Sequence, residues 1–178
     1  WFGEQEECID LYRKLLGTSH NENRTIALIH NRKGIKKEIT RKNALHQSSL
    51  LAKAIADLSF LDDEKQLRIF GVLSASENSF YLMLASSFLG ANHCICFEDL
   101  SYSALANRID IFNPHIILGT GSTIQKLLVA RNKSKNNKIP VYSIEDILIN
   151  NSEDYSKRDV VNIASKTYNS DDILFTLF

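Results

Sequence analysis

Charge of one sign is the first thing this sequence lacks. Twenty-one Lys and Arg residues balance twenty-one Asp and Glu residues, so no whole-chain field favours nucleic acid or a membrane surface. Long apolar runs are missing too, and the longest fall well short of the ~18–20 residues that a membrane span needs. Cysteine is sparse, with only Cys8, Cys94 and Cys96. The last two sit in "NHCICF", which reads as a strand, so both side chains point to one face. That spacing holds their Cβ atoms too far apart for an unstrained disulfide. His93 falls on the other face, which argues against a Cys–His metal set. The pair reads as small buried hydrophobes, and a reducing cytoplasm is the expected compartment.

Several kinds of chemistry are excluded in the same way. His20, His30, His46, His93 and His115 include no i, i+4 pair and no accompanying carboxylate pattern, so no metal site is expected from them. No Gly-x-Ser-x-Gly nucleophile elbow occurs. The carboxylate pairs Asp62–Asp63, Glu98–Asp99 and Asp171–Asp172 are neighbours in sequence and read as caps or solubilising groups. There is no internal repeat and no signal-peptide pattern. The sequence opens on Trp1 rather than Met and closes on Phe178 in what reads as mid-strand. The expectation is a segment cut from a longer protein.

What is present has the composition of an ordinary globular domain, 44% hydrophobic and 24% charged, and 178 residues suit a single domain. "ECIDLYRKLL" suits a short helix within residues 1–23. "TIALIHNRKGIKKEIT" reads as two strands about a turn at Gly34. Thr40 is the expected N-cap of a helix over Arg41–Ser59, with Leu45, Leu51, Ala52, Ile55 and Leu58 as its apolar face. Strands and helices then alternate. "QLRIFGVLS" precedes the helix "ENSFYLMLASSFLG", closed by Gly90, and "NHCICF" precedes "SYSALANRIDIF", capped by Ser101. "HIILG" precedes "STIQKLLVARN", and "IPVYSI" precedes a short helical turn, "EDILIN". A polar stretch leads to a last, buried strand, "SDDILFTLF". Such alternation implies parallel pairing, and near-continuous apolar strands imply a sheet covered on both faces. The expected fold is an open, doubly wound, mostly parallel α/β sheet with an N-terminal β-hairpin.

The candidate site is "IILGTGSTIQKLL", where a strand runs through Gly119-Thr120-Gly121 into a helix starting at Ser122 or Thr123. Glycines at such a turn let backbone N–H groups approach an anion at a helix N-terminus. As a dinucleotide fingerprint it is incomplete. Ile124 stands at the third glycine position, and the acidic residue expected about twenty positions on is met only loosely by Glu145. A tight turn with glycines for geometry is the commoner explanation. Lys126 could reach a phosphate, and reads equally as a surface lysine. "RNKSKNNK", with Arg131, Lys133, Lys135 and Lys138, reads first as a solvated loop and second as a patch for a phosphate-rich ligand.

The stretch from Ser74 to Leu118, "SASENSFYLMLASSFLGANHCICFEDLSYSALANRIDIFNPHIIL", resembles the adenylate-forming (AMP-binding) superfamily. The resemblance is carried by Leu89-Gly90-Ala91, by Ser101, Leu105 and Arg108, and by Pro114-His115. Thr40 matches a family helix start, with Arg41 where Tyr is usual. The order of elements is similar over residues 1–178. The opening "WF", "ICFED" and "NRIDIFNPHIILG" are most similar to the acetyl-CoA, propionyl-CoA and acetoacetyl-CoA synthetase branch.

That resemblance implies the N-terminal part of an acid–CoA ligase for a short-chain acid, using ATP, Mg²⁺ and coenzyme A. A carboxylate would attack the α-phosphorus to give an acyl-adenylate and pyrophosphate, and the CoA thiolate would then displace AMP. In the family, a strand like "DDILFTLF" leads into the phosphate-binding loop, and the catalytic groups follow it. The resemblance therefore implies no catalytic residue in these 178 positions, no ligase activity for the segment alone, and dependence on the C-terminal remainder of the same protein. Gly119, Gly121, Lys126 and Arg131 would be CoA or phosphate contacts, although the branch's early arginine in this stretch is missing. Two rivals are an adenylation domain serving a carrier-protein thiol and a non-catalytic nucleotide-binding or interaction module.

Overall fold

A computed structural model of the chain describes residues 23–30, 36–58, 66–152 and 172–178. The helix expected within residues 1–23, the Gly34 turn, Cys8, His20, Asp62–Asp63 and Asp171 lie outside those residues. Strands β1 (Thr25–His30) and β2 (Lys36–Thr40) pair antiparallel, from Thr25 opposite Thr40 to His30 opposite Lys36. Helix α1 (Arg41–Leu58) follows at once. The Asn43 amide donates to Thr40 Oγ1 at 3.2 Å, so Thr40 satisfies one of the amides a helix start leaves free.

The main sheet is built from β3 (Arg68–Val72), β4 (Asn92–Cys96), β5 (Ile116–Gly119) and β6 (Val141–Ser143), in the order β4-β3-β5-β6 and parallel throughout. Helices α2 (Glu77–Phe88), α3 (Tyr102–Phe112), α4 (Ile124–Lys133) and α5 (Ile144–Ser152) alternate with these strands. Side-chain alternation divides the core in two. Ile69, Ile116 and Leu118 pack with α1, α2 and α5, whereas Phe70, Val72, Cys94, Cys96 and Ile117 pack with α3 and α4. A strand buried on both faces has no polar register, which is why these strands read as apolar runs. Phe70, fully buried, meets Phe112 at 6.1 Å between ring centroids, and burial of each such side chain contributes about 1.5–3 kcal/mol.

Capping follows local chemistry. At the start of α2, Ser79 Oγ accepts from the Ser76 amide at 3.3 Å and donates to Ser76 O at 2.7 Å, and Ser101 Oγ accepts from the Ala104 amide at 3.2 Å. Gly90 takes the left-handed conformation after α2, with φ +65°, where a side chain would be strained. Two expected boundaries move. Helix α4 starts at Ile124 because residues 120–123 form a hydrogen-bonded turn, Thr123 N donating to Thr120 O at 2.9 Å. Helix α5 is a nine-residue helix rather than a single turn, because Ile144 and Ile147 are buried against the core and packing sustains what local propensity alone would not.

The last segment also departs from expectation. It is not a buried strand but makes one isolated parallel bridge, Phe175 with His93, on the outer side of β4. The His93 amide donates to Leu174 O at 3.2 Å and the Thr176 amide to His93 O at 2.9 Å. Ile173, Phe175 and Leu177 are 55%, 52% and 80% exposed, since no described element lies over that side of the segment.

Candidate functional site

In an open parallel sheet, ligands bind beyond the carboxyl ends of the strands. Three strand–helix junctions of this chain meet there on one side chain. Glu145, in the first turn of α5, accepts from the Gly121 amide at 3.0 Å and from Ser143 Oγ at 2.8 Å through Oε2. Its Oε1 accepts from Asn78 Nδ2, at the start of α2, at 3.1 Å. The turn is also closed from within. The Thr120 amide donates to Thr123 Oγ1 at 2.9 Å, and Thr123 Oγ1 donates to Thr120 O at 3.0 Å. The Gly121 N–H that could approach an external anion is therefore held by the chain's own carboxylate, a charge-assisted bond of the stronger kind.

The two glycines have different reasons to be there. A Cβ on Gly119 would lie 2.4 Å from Thr123 Oγ1 and 2.5 Å from Leu127 Cδ1, whereas one on Gly121 would meet nothing within 4 Å. Gly119 is required by packing of the turn against α4. Lys126 Nζ donates to the Glu98 carbonyl at 2.5 Å and stands 5.9 Å from the centre of the Tyr102 ring. Arg131 donates through Nη1 to Ile139 O at 3.4 Å and through Nη2 to Asn132 Oδ1 at 3.0 Å. It lies in the last turn of α4, about 10 Å along the axis from the start of that helix. The fold thus brings Gly119, Gly121 and Glu145 together and sends Arg131 to the far end of the helix. Asn78 and Ser143 were not singled out in the sequence, because a single Asn or Ser at a strand–helix junction carries no spacing signal of its own.

Two further features lie away from this turn. An apolar cavity of about 310 Å³ is lined by Met83, Ser87, His93, Ile95, Leu174 and Phe175, among others. His93 is 7% exposed, its Nδ1 has no hydrogen-bond partner, and burial lowers its pKa to about 4. The imidazole is therefore neutral at physiological pH. On the opposite face of β4, Cys94 and Cys96 are buried with their sulfurs 3.9 Å apart, as thiols rather than a disulfide. Their shared hydrogen bond raises the pKa of Cys94 and lowers that of Cys96. The expectation that these residues share a face, with His93 on the other, is met.

Among the described residues no three His, Cys, Asp or Glu side chains are grouped to hold a metal ion. Nor is any helix of these residues long and apolar enough to cross a membrane. Of the positions suggested for phosphate or CoA, Gly121, Lys126 and Arg131 each donate a hydrogen bond within the chain.

No protein-family model matches the sequence, and no curated protein matches it. Solved structures do match in fold. An acyl-CoA synthetase of Brucella canis is similar over 97% of this chain, with a TM-score of 0.76 at 13% identity. The ATP-bound form of MatB from Rhodopseudomonas palustris is similar over 96%, with a TM-score of 0.74 at 14% identity. A red-emitting luciferase of Phrixothrix hirtus is similar over 93%, with a TM-score of 0.69 at 12% identity. The chain spans about a third of the synthetase and MatB chains, 32% of each, and 40% of the luciferase. Its fold is that of the N-terminal region of an acyl-CoA synthetase.

Proposed function

We propose that residues 1–178 form the N-terminal α/β part of an ATP-dependent, adenylate-forming acid–CoA ligase. The observation that carries this reading is the near-complete overlay of the chain, 97% of it, on 32% of an acyl-CoA synthetase. The stretches that resemble the acetyl-CoA synthetase branch, the opening "WF", "ICFED" and "NRIDIFNPHIILG", favour a short-chain acid. The branch and the acid are part of the proposal, as are a cytoplasmic location and a C-terminal remainder joined to these residues.

ATP, Mg²⁺ and CoA would be the cofactors of the whole ligase. The likeness to an ATP-bound structure supports the first of them. No catalytic residue is assigned, because the resemblance places the phosphate-binding loop and the catalytic groups in the part of the ligase that follows a strand like "DDILFTLF". A CoA contact through Lys126 or Arg131 would use the donors these side chains keep beside their bonds to the Glu98 and Ile139 carbonyls. Alanine at both positions in the whole ligase should raise the KM for CoA, and an unchanged KM would remove them from the site.

The decisive experiment is an AMP-release assay with ATP, CoA and a panel of short acids. The 178-residue chain alone should give no AMP above background, whereas the whole gene product should release it with one of the acids. Turnover by the 178 residues, or none by the whole product with any acid, would overturn the reading. Thioester formed on a carrier protein but not on CoA would favour the carrier-dependent rival.

A further inference from the structure

Cys94 and Cys96 form the one close pair of soft metal-ligating side chains among the described residues, and the proposed function makes no use of them. They are held side by side by the strand. Two residues apart on β4, they point to the same face, and the backbone fixes their spacing whether or not a ligand is present. Their sulfurs are 3.9 Å apart. Two metal–thiolate bonds of ~2.3 Å span that gap at an angle of roughly 115°, and a linear pair needs only ~0.7 Å more, within reach of side-chain rotation. Cys94 is 1% exposed and Cys96 7%. The sulfurs lie in the apolar layer of Val72, Leu105 and Ile109, which keeps water and competing hard ligands away. Among the described residues, the one charge whose field reaches both is the Arg108 guanidinium on α3.

We propose that Cys94 and Cys96 form a two-thiolate site for a soft, thiophilic monovalent cation, Cu(I). The number and kind of donors select this ion. Thiolates favour soft metals, and a structural zinc would need four ligands, where no third His, Cys, Asp or Glu is grouped with these two among the described residues. The chemistry balances without an oxidant. Two S–H bonds break, two Cu–S bonds form, and two protons leave as one Cu⁺ enters. The bis-thiolate complex carries a net charge of −1, which Arg108 offsets. Uncompensated, that charge would be costly in an apolar layer.

The test is an anaerobic titration of the reduced 178-residue chain with Cu(I) buffered by a competing chelator such as bicinchoninate. Cys8, outside the described residues, is removed by Cys8→Ser. That variant should still take up one Cu(I) per chain, and copper K-edge absorption should show two sulfur neighbours and no imidazole nitrogen. Cys94→Ala or Cys96→Ala should weaken binding by more than the ~10–100-fold that loss of an outer group costs, and Arg108→Gln should fall within that range. Loss of binding in Cys8→Ser, retention in either alanine variant, or nitrogen neighbours at the copper would overturn the proposal. Where an alanine variant fails to fold, the stoichiometry and absorption spectrum of Cys8→Ser decide by themselves.

Discussion

An imidazole shielded from water is costly to charge, and His93 carries that cost into the stability of the whole chain. Its folded pKa of about 4 lies below the ordinary 6.5 because burial disfavours the cation. Above pH 6.5 neither state is charged there, and the residue adds no pH dependence. As pH falls from 6.5 towards 4, the unfolded chain takes up a proton that the folded chain refuses, so stability declines. The loss approaches about 3 kcal/mol at the acid end. Urea melts of wild type and His93→Gln at pH 7, 5 and 4 should show a gap in stability that is constant near neutrality and moves in the variant's favour by that order on acidification. The two turn glycines give a second test at this scale. Gly119→Ala forces a methyl into Thr123 and Leu127 and should cost about 1–3 kcal/mol. Gly121→Ala, with open space around it, should stay within ~0.5 kcal/mol. An anion-binding role for the Gly121 amide would leave both stability results unchanged.

At the scale of elements, the carboxyl end of the sheet is stapled by Glu145, which bonds to groups at the starts of α2 and α5 and in the β5–α4 turn. Glu145→Ala leaves the Gly121 amide without its acceptor and removes a favourable charge from the first turn of α5. Thermal melts should register a loss of about 0.5–1.5 kcal/mol, and Glu145→Gln, which keeps an acceptor oxygen, should lose less. Thr40→Ala should cost α1 about 1 kcal/mol through its cap. Thr40 was legible as a cap from sequence because a hydroxyl before an apolar period is a local signal. The extent of α5 was not, because the burial of Ile144 and Ile147 against α1 and α2 is a contact between segments distant in sequence. The same reason hid Asn78 and Ser143, which acquire meaning only when three loops converge.

Across the whole molecule, stability should be graded from the centre of the sheet outward. Strand β3 is hydrogen-bonded to β4 and β5 and buried on both faces, while residues 172–178 hold one bridge. Amide exchange followed by NMR should place Phe70 and Val72 at the global unfolding free energy and Thr176 near the fast end. Equal protection of Thr176 and β3 would contradict this grading. The alternation of strands and helices, their parallel pairing and the double-faced core were all readable from the sequence, because hydrophobic periodicity and capping act over a few residues and report burial directly. Position in three dimensions was not. Which carboxylate meets Gly121, how near the two thiols stand, and which side of the last segment lies open depend on elements dozens of residues apart. Hydrophobic pattern determines that a side chain is buried, and only packing of the assembled layers decides what it is buried against.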